Sequence, residues 1–366
     1  MTSTSADREE FRAVLRGLLT QKSQHETVRA FSEGAAYDRD LWSLLANQTG
    51  LAGLIIPEQW GGQGMGLSEA AVALEEAARV LLCAPLLSGA VLAPTAVLAA
   101  HDDDAAAGLL PGIADGTVIA VVALDDETDT EAVATETNGT WRVSGTKVRV
   151  LDGPVADLVL VVARTGDGHG LFAIDATADG IDVTQTTSLD LTRRYARITL
   201  DNAEVRRVGA DYTAGLAELD RVARFAASAE SLGVAGRMLE IAVDYVKTRE
   251  QFGRVIGSFQ AIKHMCAEMF VRVECSRGAV AGAAEILDDP TADLAEVLDI
   301  VTVTKAYCSR AAVFVAETGL QLHGGIGYTW EHVSHLYLRR AKTLELTFGS
   351  PLELRRELAL VHGVAA

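Results

Sequence analysis

The chain is short of positive charge. It carries 32 lysines and arginines against 50 aspartates and glutamates, a formal net charge of −18 at pH 7. Nucleic acid and anionic membrane both reward a basic surface, so neither is expected as a principal partner. No apolar run reaches the ~20 residues needed to cross a bilayer as a helix, and the polar start Met1-Thr2-Ser3-Thr4-Ser5-Ala6-Asp7 has no apolar core of a signal peptide. A cytoplasmic location is the expectation. Cysteine is scarce as well: Cys83, Cys266, Cys275 and Cys308 stand in apolar helical context without metal-ligand spacing and read as reduced core residues. What is present in quantity is apolar side chain, 49% of 366 residues, enough for a sizeable core in two or three domains or one large one.

The hydrophobic period changes twice along the chain. From about Asp7 to Ile113 apolar residues recur three and four apart, as in Phe11, Val14, Leu15 and Leu18 and again in Ala71, Leu74, Ala78 and Leu81. Gly61 to Gly66 separates two of these helices, Ser68 is the expected N-cap of the second, and a further helix is expected over Ser88 to His101. From about Thr117 to Val208 short β-rich runs such as Val118 to Val122, Leu158 to Val162 and Leu171 to Ile174 alternate with turns such as Asn138-Gly139. They read as a small antiparallel sheet domain. Beyond Gly209 the helical period returns. Ile262, Cys266, Met269, Phe270 and Val273 make one stripe of a helix that stops near Asp288-Asp289-Pro290, and Val301, Ala306, Val313 and Ala316 lie on another. The resulting expectation is an α+β protein with a helical domain over 1–113, a β domain over 114–208 and a helical bundle over 209–366.

Two stretches carry the chemistry. In Thr248-Arg249-Glu250-Gln251-Phe252-Gly253-Arg254-Val255-Ile256-Gly257-Ser258-Phe259-Gln260, a basic, glycine-punctuated turn joins two helices. Arg249 offers a planar, permanently charged fork suited to phosphate or pyrophosphate. Gly253 and Gly257 permit a tight turn, Phe252 presents a flat face, and Gln260 adds an amide able to read a base or ribose edge. An arginine at a helix end equally serves to cap carbonyls. The second stretch, Gln321-Leu322-His323-Gly324-Gly325-Ile326-Gly327-Tyr328, again sets an amide before closely spaced glycines, where backbone can approach a ligand. His332 and His335, at i and i+3, would share a helix face, but with His323 they match no closed metal triad, and no metal site is expected.

With Pro57-Glu58-Gln59-Trp60-Gly61-Gly62-Gln63-Gly64, these stretches resemble the acyl-CoA dehydrogenase family over nearly the whole chain. Arg249, Phe252 and Gln260, followed by Gln321-x-x-Gly324-Gly325, stand where the family pattern puts them. The resemblance implies the helical, antiparallel β, helical-bundle order. It also implies an FAD site built across a subunit interface, with Arg249 on the pyrophosphate and Gln251, Phe252, Phe259, Gln260, Gln321, Leu322, His323, Gly324 and Gly325 completing it, all on the FAD of a neighbouring subunit.

Acyl-CoA dehydrogenation needs a carboxylate base to take the α-proton while hydride leaves the β-carbon for the flavin. Counted from Arg339-Arg340-Ala341-Lys342, which matches the family's Arg-Asp-Ala-Lys at three of four positions, the C-terminal base position is Phe348. Counted back from Gly233, the alternative position is Ala223. Neither takes a proton. Ala123-Leu124-Asp125-Asp126-Glu127-Thr128-Asp129-Thr130 replaces the family's flavin-contacting loop with acidic residues that would repel a pyrophosphate, and Lys147-Val148-Arg149-Val150-Leu151 lacks the family's flavin-shielding tryptophan and the hydroxyl after it. Residues lent to a neighbour are kept while those for the chain's own site are gone. That pattern resembles the non-catalytic subunit of heterotetrameric (α2β2) acyl-CoA dehydrogenases of actinobacterial steroid side-chain catabolism. It implies FAD, a partner chain with the catalytic glutamate, and an acyl-CoA bound mainly by that partner. Two rival readings are a homomeric enzyme with a relocated base, Glu230 or Glu345, each otherwise a stray helix-surface carboxylate, and an FAD-free scaffold or acyl-CoA-binding protein of the same fold.

Overall fold

The computed structural model describes residues 4–128, 130–166 and 168–364. Six α-helices come first: α1 (Ser5–Lys22), α2 (His25–Ser32), α3 (Arg39–Thr49), α4 (Leu67–Arg79), α5 (Ala93–Leu98) and α6 (Asp103–Ala114). Seven strands follow: β1 (Ala120–Ala123), β2 (Val133–Thr137), β3 (Thr140–Leu151), β4 (Leu158–Thr165), β5 (Gly168–Asp175), β6 (Ile181–Thr186) and β7 (Tyr195–Val208). Next comes the long helix α7 (Thr213–Thr248), a two-stranded turn of β8 (Glu250–Gln251) and β9 (Arg254–Val255), then α8 (Gln260–Asp288), α9 (Leu294–His323), α10 (Ser334–Leu346) and α11 (Pro351–Val361). No helix among the described residues is long and apolar enough to cross a membrane.

Helix α7 is the axis of the molecule, packed by α4, α8, α9 and α10. Its middle, from Ala223 to Gly236, is mostly alanine, glycine and serine, and every residue of it except Arg224 is buried. Small side chains allow the close approach: a Cβ on Gly233 would stand 2.2 Å from the Glu75 carbonyl oxygen of α4. The other end of α8 is tied to the N-terminal helices, since Asp288 accepts from the backbone N–H of Leu67 and Ser68 at 2.7 and 2.9 Å and from the Ser68 hydroxyl at 2.6 Å. Asp288 thus satisfies the first turn of α4, and Ser68 sits inside that turn rather than capping it.

The β domain closes on itself. Strands β4, β5, β7, β3 and β2 pair in sequence, and the single register pair Val133↔Arg164 brings β2 back to β4. Val143, Val161, Phe172, Ile174, Ile198 and Leu200 belong to its separate core. The sheet is not wholly antiparallel, because β1 runs parallel to β4 from Ala120↔Leu158 to Ala123↔Val161. The excursion through β2 and β3 supplies the crossover that parallel neighbours require.

Other sequence expectations shift. A π-helical turn over Leu86–Leu92 precedes the short α5, where one helix over Ser88 to His101 was expected. Helix α8 ends at Asp288, before Pro290, and buries Met269 and Val273, but Phe270 turns outward. All four cysteines are free; only Cys308 is buried, and Cys275 is exposed.

Candidate functional site

The Arg249 stretch is a solvent-facing hairpin at the end of α7. Arg249 leaves the helix in extended conformation, and its carbonyl accepts from the Ile256 N–H at 2.8 Å to close the turn. Phe252 and Gly253 occupy the tip with φ of +55° and +77°, the left-handed pair that a two-residue hairpin demands. Phe252 tolerates a backbone that costs any residue with a Cβ, and its side chain is 92% exposed. At the base of the turn, a Cβ on Gly257 would lie 2.8 Å from the Val246 carbonyl oxygen, so the chain passes too close to α7 for a side chain there. The Arg254 guanidinium lies 4.0 Å above the ring of Phe259, and Phe252 meets the same ring edge-on at 6.2 Å between centroids. The Gln251 amide donates to the Glu250 carbonyl.

The glycine stretch reaches the same end of the bundle. Helix α9 stops at His323, whose ring stacks on Tyr245 of α7 at 4.5 Å and on His332 at 4.3 Å. Gln321, Gly324 and Gly325 are exposed. Leu322 and His323 turn inward, His323 only 2% exposed, with its Nδ1 2.7 Å from the Gly319 carbonyl. Both side chains are therefore turned away from the exposed face that Gln321, Gly324 and Gly325 present. Gln260 opens α8, so that helix's first N–H groups, its positive pole, also lie here. The side chains of Arg249, Gln260 and Gln321 carry no ion pair or hydrogen bond among the described residues. Arg249 and its companions therefore form an exposed, unspent set of donors beside aromatic faces, the makings of an anion and aromatic-ring site.

A second feature lies between the β domain and the start of α7: a cleft of about 610 Å³ lined by Leu124, Lys147, Leu216, Asp220, Ala223, Arg224 and Phe348, among others. Ala223 and Phe348, the two positions at which a base was sought, thus share one wall space. The carboxylates around it are already occupied. Asp126 pairs with Lys147 at 2.7 Å, Asp125 with Arg149 at 3.1 Å, Glu131 with Arg164 at 2.8 Å and Asp220 with Arg224 at 2.9 Å. Glu127 pairs with Arg197. The described carboxylates of the loop, Asp125, Asp126 and Glu127, are thus each paired with a cation; Asp129 lies outside the described residues. The loop is stitched along β3, with Glu127 N–H on the Thr146 carbonyl and Val148 N–H on the Asp125 carbonyl. Arg149 stands on a bulge at φ +53°.

Asp220 is the cleft carboxylate that sequence reasoning passed over; burial raises its pKa and Arg224 opposes the rise. Its place one turn before Ala223 on the same helix was the available signal. Glu230 is no surface carboxylate. It is 4% exposed and ion-paired with Arg193 of the segment between β6 and β7. Glu345 pairs with Arg310 at 3.3 Å. His332 precedes α10 while His335 lies within it against Trp330, so they do not share a face. No metal-binding group of histidines, cysteines and carboxylates occurs among the described residues.

Comparison with known proteins agrees with this geometry. The acyl-CoA dehydrogenase N-terminal domain model matches residues 5–117, and the C-terminal domain model matches 219–359. The chain is 35% identical to acyl-CoA dehydrogenase IpdE2 of Mycobacterium tuberculosis over 353 residues, 96% of each chain. It is also 35% identical to acyl-CoA dehydrogenase FadE34 of the same organism over 336 residues, covering 91% of this chain and 44% of that one. Among solved structures it resembles the ChsE4-ChsE5 complex of Mycobacterium tuberculosis, with a TM-score of 0.91 at 29% identity over 100% of this chain and 99% of that one. A variant of the Tcur3481-Tcur3483 steroid ACAD gives a TM-score of 0.88 at 31% identity over 99% of each chain. The helical, β and helical-bundle order, the spacing of the hairpin and glycine stretches and these full-length matches lead to one conclusion: the chain belongs to the acyl-CoA dehydrogenase family.

Proposed function

We propose that this chain is the non-catalytic subunit of a heteromeric, FAD-dependent acyl-CoA dehydrogenase. It lends Arg249, Gln251, Phe252, Phe259, Gln260, Gln321 and the backbone from Leu322 to Gly325 to an FAD seated in a second chain of the family. The partner carries the glutamate base and most of the acyl-CoA site. The observation that carries this reading is the shared cleft of Ala223 and Phe348, where neither residue takes a proton and the neighbouring carboxylates are held in ion pairs.

FAD, when bound, accepts the hydride. The work of this chain is to bind and orient it. An exposed guanidinium without a partner, next to the positive pole of α8, fits a pyrophosphate, and an exposed phenylalanine at a rigid tip fits a ring system. Two matched structures are named as pairs of chains, one of them a steroid ACAD, which supports an α2β2 assembly acting in the cytoplasm on a CoA thioester with a steroid side-chain acyl group. The match to less than half of FadE34 supports the same arrangement, since that chain has room for both members of such a pair.

Co-expression with a neighbouring acyl-CoA dehydrogenase gene product, followed by counting flavins per chain, tests the reading. The complex is expected to hold FAD and dehydrogenate; the isolated chain is expected to be nearly colourless and inactive. A yellow, active homomer overturns it.

A further inference from the structure

Under the hairpin, the end of α7 and the start of α8 leave a groove of about 470 Å³, within the ordinary size range of a small-molecule site. Val243 and Val246 line it from α7, Ile262 and Cys266 from α8, and Val255 from the returning strand of the hairpin. Each helical pair is three or four residues apart and so shares one face of its helix. Gly257 and Ser258 complete the lining together with two lysines, Lys247 of α7 and Lys263 of α8. None of the residues offered to FAD above is among them, so what fills this groove does not depend on that reading.

The charge of the groove is one-sided, in a chain whose net charge is −18. No carboxylate lines it. Both lysines are exposed, and neither ammonium has an ion pair or hydrogen bond among the described residues. The next carboxylate along α8, Glu268, is held by Arg272 at 2.6 Å, and burial raises the Cys266 pKa and keeps that thiol neutral. The Ser258 hydroxyl is spent on the Val255 carbonyl at 2.7 Å. A neutral apolar occupant would strip water from the ammoniums and return nothing, and a cation would meet like charge. An anionic membrane would face the whole acidic chain as well as these two lysines. A small apolar body with a single carboxylate covers the valines and the isoleucine and brings its charge to the exposed side, where a lysine requires charge rather than a fixed geometry. We propose that this groove binds an amphiphilic monocarboxylate, its apolar body between α7 and α8 and its carboxylate at Lys247 and Lys263.

The test uses the full chain and three probes of one length: octanoate, octan-1-ol and octylammonium. Alkylation by N-ethylmaleimide, followed by peptide mass spectrometry, reads occupancy at the half-buried Cys266, with the exposed Cys275 as control. Nine residues separate the two, about two and a half turns, so Cys275 lies on the opposite side of α8. Octanoate is expected to slow the labelling of Cys266 saturably and to leave Cys275 unchanged, with octan-1-ol several-fold weaker and octylammonium without effect. The double substitution Lys247→Gln with Lys263→Gln removes two exposed charges and no buried group. It is expected to raise the octanoate concentration for half protection roughly three- to tenfold and to leave that for octan-1-ol where it was. Equal protection by all three probes marks a merely apolar surface and overturns the assignment. So do the absence of protection by octanoate, with or without protection by phosphatidylglycerol vesicles, and octanoate protection that the double substitution leaves unchanged.

Discussion

The Lys305 ammonium, fully buried in α9, donates to the Leu344 carbonyl at 2.9 Å and lies 3.3 Å from that of Gly349. It brackets the short segment on which Phe348 stands at φ +58° and fixes that residue in its cleft. The remaining contact of the ammonium is the Ser309 hydroxyl at 2.8 Å.

Burial without a carboxylate partner lowers the Lys305 pKa to about 8. In the unfolded chain the group titrates near its ordinary 10.5, so between about pH 8 and 10.5 the unfolded state holds more protons and stability rises with pH. Below about pH 8 the cost of burying the charge is fully present. Urea midpoints of the wild type minus those of Lys305→Met, followed from pH 7.5 to 10, are expected to climb in that window. A flat difference refutes the uncompensated burial of this charge.

Arg249→Ala is expected to remove FAD from the assembled complex. A charge-assisted bidentate contact contributes on the order of 1.5–3 kcal/mol, about ten- to a hundredfold in retention. Arg249→Lys restores only part, because an ammonium lacks the planar fork. Flavin absorbance per complex after gel filtration is the readout. Unchanged flavin in Arg249→Ala would rule out the cross-subunit contact.

Glu345→Gln is expected to leave turnover of the complex within a few-fold, since that carboxylate is engaged by Arg310 and general-base loss typically costs ~10²–10⁴. Phe348→Glu in the isolated chain is expected to yield no dehydrogenation, because the loop stitched along β3 and Arg149 at its bulge remain. Steady-state assays with an acyl-CoA and a dye acceptor separate these outcomes. Measurable activity from Phe348→Glu alone would mean that the chain retains a working cofactor seat of its own.

The periodicity of the sequence sufficed for the block order and for stripes such as Val301, Ala306, Val313 and Ala316, all buried, because helical burial is a local pattern. The tight turn at Gly253 was legible too, though not the short strand pair that flanks it. The closing of the β domain was not, since the pair Val133↔Arg164 joins segments whose local composition does not encode their meeting. Glu230 was misread for a different reason. Its partner Arg193 is remote in sequence, although the run of small residues on every side of Glu230 in α7 is the mark of a helix without a solvent face. Arg340, the one departure from the family's Arg-Asp-Ala-Lys, proves to be buried against Asp190 at 2.5 Å, so the substitution is matched by an opposite charge on the β-domain side.

Asp288 gives α8 a mechanical character. The helix is a strut of 29 residues, about 43 Å at 1.5 Å per residue. One end adjoins the hairpin that carries Arg249 and Phe252, and the other is bolted through a carboxylate to the leading turn of α4. Between those ends the helix packs on α9, α7 and α4, so the hairpin's place is referred to the rest of the bundle along the whole strut as well as at Leu67 and Ser68. The N-terminal helices thus share, through three hydrogen bonds, in setting where the far end of the hairpin's helix sits.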